Sequence, residues 1–160
     1  MATLTVEKFL DYIRAFNEPD YDKQHGFYSD DIELVIPDPQ IGTLKGKEGI
    51  LNHYRPIHKA AVEKVIPISV KTEPGKFFLS MESYFRYKVK TVAVHDFQVE
   101  EGDVIKITCS ADYDIDNEGR MTRITCQLAK AELLEGKPDL QLRIRDSESR
   151  AEPSLRLYNY

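Results

Sequence analysis

Asp38, His58 and Tyr12 are the side chains whose types and placement offer proton chemistry. Asp38 ends the apolar run IELVIPDP, between Pro37 and Pro39. A carboxylate at the mouth of an apolar enclosure has a raised pKa, which suits it to proton transfer. At a strand end it is equally a turn residue. Tyr12 borders the apolar stripe of the first helix. There it is either a core tyrosine with a satisfied hydroxyl or a donor to a developing oxyanion. His53 and His58 flank Pro56. Imidazole titrates near neutrality, so His58, lining a pocket with Tyr54, can share proton work with Asp38. Glu82, Tyr84 and Arg86 share one side of a long strand. They form a polar outer face, or Glu82 and Arg86 point inward as a pair holding a water. Met81, Phe85 and Tyr87 suit the inside better, but a one-residue slip reverses the choice. Cys109 and Cys126 read as neighbouring buried thiols, reduced and without a base in reach. No histidine or carboxylate spacing fits a metal, and no phosphate loop or dinucleotide fingerprint occurs, so neither metal nor cofactor is expected.

These groups need elements to hold them. Val6, Phe9, Leu10, Ile13 and Phe16 recur as one helical face, with Thr3 or Thr5 as N-cap. Asp20 caps a short second helix carrying Tyr21, Gln24 and Tyr28. IELVIPD is strand-like, and Gly42 and Gly46 lead into a third helix, KEGILNHYR. Pro56 ends or kinks that helix, with a further turn or two over 57–64. Strands follow. DVIKITCSADYDID and RMTRITCQLAKAEL form a hairpin about Asn117, Glu118 and Gly119. A register with Ile115 opposite Arg120 sets Cys109 against Cys126 and Asp112 against Arg123. One face then carries Ile105, Ile107, Cys109, Ala111, Tyr113, Ile124, Cys126 and Leu128, the mark of an antiparallel sheet with one buried face. The order predicts an α+β fold, its curved sheet covered on the concave side by three to four N-terminal helices. Residues 1–134 form the domain and 135–160 an extension that docks on this chain or a partner, with Leu140, Leu142 and Ile144 alternating like a short strand.

The bulk properties agree. The chain has 160 residues, 41% hydrophobic and 31% charged, enough for one domain with a real core. A net charge of −5 argues against a nucleic-acid surface. Neither a secretory leader nor a membrane span is visible, and a cytoplasmic protein is expected. Nine tyrosines and seven phenylalanines supply a core and some lining for an aromatic ligand.

Three stretches carry a resemblance: YIRAFNEPDYDKQHGFYSDDIELVIPDP, GKEGILNHY and YDIDNEGRMTRI. Together they resemble the SnoaL-like branch of the nuclear-transport-factor-2-like superfamily, over about residues 5–130. The resemblance implies a cone-shaped domain with a pocket between helices and sheet, often a homodimer through the outer sheet face. Tyr12 matches the helix tyrosine that, in ketosteroid-isomerase relatives, donates to an enolate oxygen. Asp38 lies within a residue or two of their proton-moving aspartate. Their second oxyanion acid falls at Ala111, and the last-strand aspartate of bacterial SnoaL-type cyclases falls near Ala129, so both are missing. What remains resembles the fungal isomerases of polyketide and meroterpenoid pathways, including the tetrahydroxanthone type. The implied function is a cofactor-free isomerase of an oxygenated polycyclic substrate, with Asp38 or His58 as base and Tyr12 on the enolate. Tyr28, His53, Tyr54, Phe85, Tyr87 and Tyr113 are the expected substrate contacts. Cyclase, dehydratase and epoxide hydrolase are alternatives on the same fold, the last through Glu82 and Arg86. A non-catalytic binding or assembly module is another.

Overall fold

The structure is a computed structural model that describes residues 4–157. Helix α1 (Val6–Asn17) starts where the Thr5 hydroxyl accepts from the Lys8 N–H at 3.2 Å. Helix α2 (Tyr21–His25) starts at Asp20, whose carboxylate accepts from the Lys23 N–H. Strands β1 (Tyr28–Val35) and β2 (Thr43–Lys45) pair antiparallel. Gly46, at φ 75°, turns the chain into α3 (Gly46–Ala60). Then come β3 (Ala61–Glu73), β4 (Lys76–Tyr87), the small pair β5 (Thr91–Val92) and β6 (Gln98–Val99), β7 (Val104–Ile115) and β8 (Met121–Leu134). Helix α4 (Leu140–Arg150) follows, and then a single 3-10 turn, Pro153–Leu155. The main sheet runs β2-β1-β8-β7-β4-β3. Every pairing is antiparallel except β1 with β8, which sets Leu34 beside Ile124.

This is the expected α+β architecture, a curved sheet with α1 to α3 on its concave side. The main core lies there: Phe9 stacks on Phe77 at 4.2 Å, and Tyr12, Ile13, Ile32 and Ile50 close around them. The opposite face is not bare. Leu140 and Ile144 of α4 pack on Ile66, Tyr84 and Val104.

Three expectations need correction, and one alternative falls away. The extension at 140–150 is a helix, not a strand. Leu140 and Ile144 stand one helical turn apart and are buried, while Leu142 between them is 61% exposed. Pro56 neither ends nor replaces α3. It sits exposed inside a helix that runs to Ala60, and the segment from Ala61 is strand rather than a further turn. The β7–β8 register is shifted. Ile115 pairs with Met121, Asp114 with Arg123, Ala111 with Cys126 and Cys109 with Leu128, because pairing starts one residue later at Met121 and the irregularity at Asp114/Ile115 adds a second. The two-residue offset at Cys109 is even, so both cysteines keep the face assigned to them. The inward alternative for Glu82 and Arg86, less favoured above than the outer face, does not hold. Glu82 faces α4, where its carboxylate meets Arg150, Ser147 and Lys106, and Arg86 is exposed.

β3 changes phase midway. Ile66 and Ile68 pack toward α4, but Val70 packs into the concave core. The cause is a bulge between Pro67 and Ser69. Pro67 is tolerated because β3 is an edge strand.

Candidate active site

Two connected chambers open between the helices and the concave sheet face. The inner one, about 130 Å³, is lined by Tyr12 and Phe16 of α1, Tyr28 and Leu34 of β1, Tyr54 of α3, and inward residues of β3, β4, β7 and β8. The outer one, about 360 Å³, is lined by Pro37, Asp38, Gln40 and Ile41 of the β1–β2 loop, His53 and Tyr54 of α3, and 92–96 of the β5–β6 segment. Glu63, Tyr54, Phe85, Ile107, Cys109 and Cys126 line both. They mark the neck between the two.

Glu63 is the acid at that neck. It follows Ala61 and precedes Val65 in the inward period of β3. The end of α1 holds this stretch in place. The Asn17 amide donates to the Val65 carbonyl at 2.9 Å and accepts from the Val65 N–H at 2.7 Å, as a neighbouring strand would. His58, four residues after Tyr54 on α3 and stacked on it at 5.5 Å, places Nε2 2.9 Å from Glu63 Oε1. On its far side Nδ1 lies 2.8 Å from the Tyr21 hydroxyl. With a neutral imidazole, Nε2–H donates to Glu63 and Nδ1 accepts from Tyr21. Both partners are buried, with side chains 8% and 7% exposed. Burial drives the Glu63 carboxyl above its usual range, and the His58 hydrogen bond only partly opposes it. A carboxylate of raised pKa beside an apolar cavity is a base suited to neutral pH.

The deep end of the inner chamber is phenolic. The Tyr12 and Tyr28 hydroxyls lie 2.8 Å apart. Burial raises both, Tyr12 further by its tyrosine neighbours, and Tyr28 to about 12 with the Tyr12 bond easing it. Both are therefore protonated at neutral pH. One proton holds the pair together and the other is free to meet a ligand oxygen. Burial likewise keeps Tyr54 and Tyr113 protonated. Burial and then the nearby Cys126 and Glu63 push Cys109 up to about 12. Burial with Glu63 and Asp112 takes Cys126 to about 11. Both are free thiols. They are not thiolates at neutral pH, so they fill space rather than attack.

Tyr12, Tyr28, Tyr54, Phe85 and Tyr113 thus meet around the inner chamber, and His53 and Asp38 face the outer one. Asp38 is in the mouth, half-buried, and its Oδ1 accepts from the Gln40 N–H at 2.9 Å. His58 lines neither chamber and reaches them through Glu63. Its other side meets a surface cleft with Tyr21, Arg55 and Lys59. Tyr87 lines neither chamber, and its hydroxyl accepts from the Val94 N–H at 3.4 Å. Sequence reasoning missed Glu63 because the helix was extended past Ala60. The signal was present in AVEKVIPISV, where an acid occupies an inward position of an otherwise apolar period. Among the described residues, no three His, Cys, Asp or Glu side chains are placed to hold a metal ion, and no helix is long and apolar enough to cross a membrane.

No family model matches the chain, and no curated protein matches it in sequence. Solved structures do. A candidate polyketide cyclase from Xanthomonas campestris superposes with a TM-score of 0.63 at 18% identity, covering 89% of this chain and 96% of its own. An epoxide hydrolase/cyclase-like enzyme of pyran-ring formation in the polyether salinomycin gives 0.62 at 11%, covering 79% and 92%. An NTF2-like protein of unknown function from Burkholderia pseudomallei gives 0.59 at 12%, with 79% and 92% covered. The chain has the nuclear-transport-factor-2-like fold of these proteins.

Proposed function

We propose that the chain is a cofactor-independent isomerase that moves a proton next to a carbonyl of an oxygenated, ring-containing substrate. The observation that carries this is Glu63, a buried carboxylate at the neck of an apolar cavity, held by His58 and sharing the inner chamber with a pair of protonated tyrosines. Glu63 takes the proton from the carbon beside the carbonyl. The bonding pair moves onto the carbonyl oxygen, where the Tyr12–Tyr28 pair donates to it. Return of the proton at another carbon gives the isomer. Base and donor must act together, because a weakly acidic C–H yields its proton only as the oxyanion is stabilised. Compared with the expectation from sequence, the base is Glu63, His58 positions it, and Asp38 lies at the mouth.

Candidate polyketide cyclases and an epoxide hydrolase/cyclase-like enzyme share the fold. This favours a second reading, in which the same enolate attacks within the substrate and closes a ring. Dehydration would draw on the same base. The inward Glu82–Arg86 pair that hydrolysis called for is absent. A homodimer would use the part of the outer sheet face that α4 leaves open, around exposed Gln127 and Ala129. A monomer by sedimentation at high micromolar concentration removes it.

The test is deuterium exchange at the carbons beside the carbonyl of 2-tetralone in heavy water, followed by NMR. The protein should accelerate exchange over buffer, and Glu63→Gln should lose the acceleration. Exchange no faster than buffer, or undiminished in Glu63→Gln, overturns the proposal.

A further inference from the structure

We propose that His53 is a hydroxyl-accepting subsite of the outer chamber, taking the O–H of a phenol or enol on the ligand. His53 stands on α3 immediately before Tyr54, its ring edge-on to that phenol at 4.9 Å. It is half-buried and lines the outer chamber. Among the described residues, neither of its ring nitrogens has a hydrogen-bonding partner. Two of the carboxylate oxygens nearby are engaged, Asp38 Oδ1 by the Gln40 N–H and Glu63 Oε1 by His58, while Tyr54, His95 and Asp96 also line the chamber. A neutral imidazole always offers one lone pair. Left unused beside an apolar cavity, that lone pair calls for a donor from the ligand.

The ionisation of the neighbourhood agrees. Burial and then the adjacent His58 push His53 below its ordinary value, so it is neutral at physiological pH. Asp38, Glu63, His95 and Asp96 share the chamber. Tyr54, Cys109 and Cys126 line it in protonated form. Among the described residues no lysine or arginine lines either chamber, which disfavours an anionic ligand group. The complementary ligand is a neutral O–H donor on a flat ring. This extends the proposed function by giving the substrate a second oxygen, set in the outer chamber away from the carbonyl that Glu63 and the tyrosines serve.

The probes are 2-naphthol and 2-methoxynaphthalene, which differ by the proton in question, titrated by their own fluorescence near neutral pH. Wild type should bind 2-naphthol about fivefold to tenfold more tightly, the worth of one hydrogen bond. His53→Phe keeps a ring and should bring the two probes to within about twofold. Glu63→Gln should leave the preference in place. Equal binding in wild type, a preference that survives His53→Phe, or one lost with Glu63→Gln instead, overturns the subsite. So does failure of either probe to bind. The proposal rests on these chambers being the ligand site, but its test requires no turnover. Loss of the His53 preference beside intact 2-tetralone exchange, or the converse, separates its failure from that of the proton-transfer reading.

Discussion

Two glutamates, Glu63 on the concave face of the sheet and Glu82 on the convex face, are almost equally hidden, with side chains 7% and 10% exposed. Their environments drive them in opposite directions. Glu63 has one hydrogen-bond donor, the His58 ring, and burial wins. For Glu82 burial is also the largest single influence, but Arg150, Ser147 and Lys106 together overcome it and hold the carboxyl at about 2. Tyr84 completes that cluster through the Ser147 hydroxyl at 2.6 Å. Burial alone does not decide what a carboxylate does; the number and charge of its donors does. The under-solvated acid can pick up protons. The over-solvated one fastens α4 to the sheet.

Exchanging the two roles by mutation tests this contrast. The largest effect should come from Glu63→Gln. Loss of the base should lower 2-tetralone exchange by about 10²–10⁴, while the urea midpoint holds or rises, since a strained buried charge is removed. Next, Tyr12→Phe removes one hydroxyl of the oxyanion pair. It should reduce exchange by about 10²-fold and leave probe binding nearly intact, as read by naphthol fluorescence.

On the other face, Glu82→Gln should leave exchange at the wild-type rate and destabilise the protein by about 3 kcal/mol near neutral pH, measured by urea unfolding. The pH dependence gives the sign. The folded Glu82 value is below the ordinary 4.5, so its stabilisation is present above 4.5 and is lost as pH falls through about 2. The wild-type–variant gap should therefore close in acid. Glu63 runs the other way: its folded value is raised, so its contribution is present below 4.5 and lost as pH rises through that raised value. A gap that widened in acid would reverse the assignment. The smallest effect belongs to Ser147→Ala, about 1 kcal/mol for a neutral donor among charged ones, with exchange again untouched.

The contrast also explains what could be read from the chain beforehand. The inward and outward faces of β7 and β8 were legible because side-chain alternation has period two, and an even register error preserves it. The first cap, the α+β order and the tyrosines of the inner chamber were legible from helical spacing. Glu63 was not, because the change from helix to strand at Ala60–Ala61 carries no glycine or proline, so the expected helical turns ran on through residue 64. The partners of Glu82 were not legible either. Leu140, Leu142 and Ile144 fit periods of two and of four over so short a run. Asp139, which caps α4 by accepting from the Leu142 N–H, was the signal that favoured a helix.

The parallel pairing of β1 with β8 has a consequence for how the molecule comes into being. The ladders of β3 with β4 and β7 with β8 join neighbours in the chain and can zip soon after collapse. Leu34 beside Ile124 requires a loop spanning most of the protein to close first. Both residues wall the inner chamber. Loop-closure entropy therefore predicts that the cavity assembles late, and a chain stalled before that step would carry a nearly complete sheet with an open apolar trough, a form exposed to aggregation.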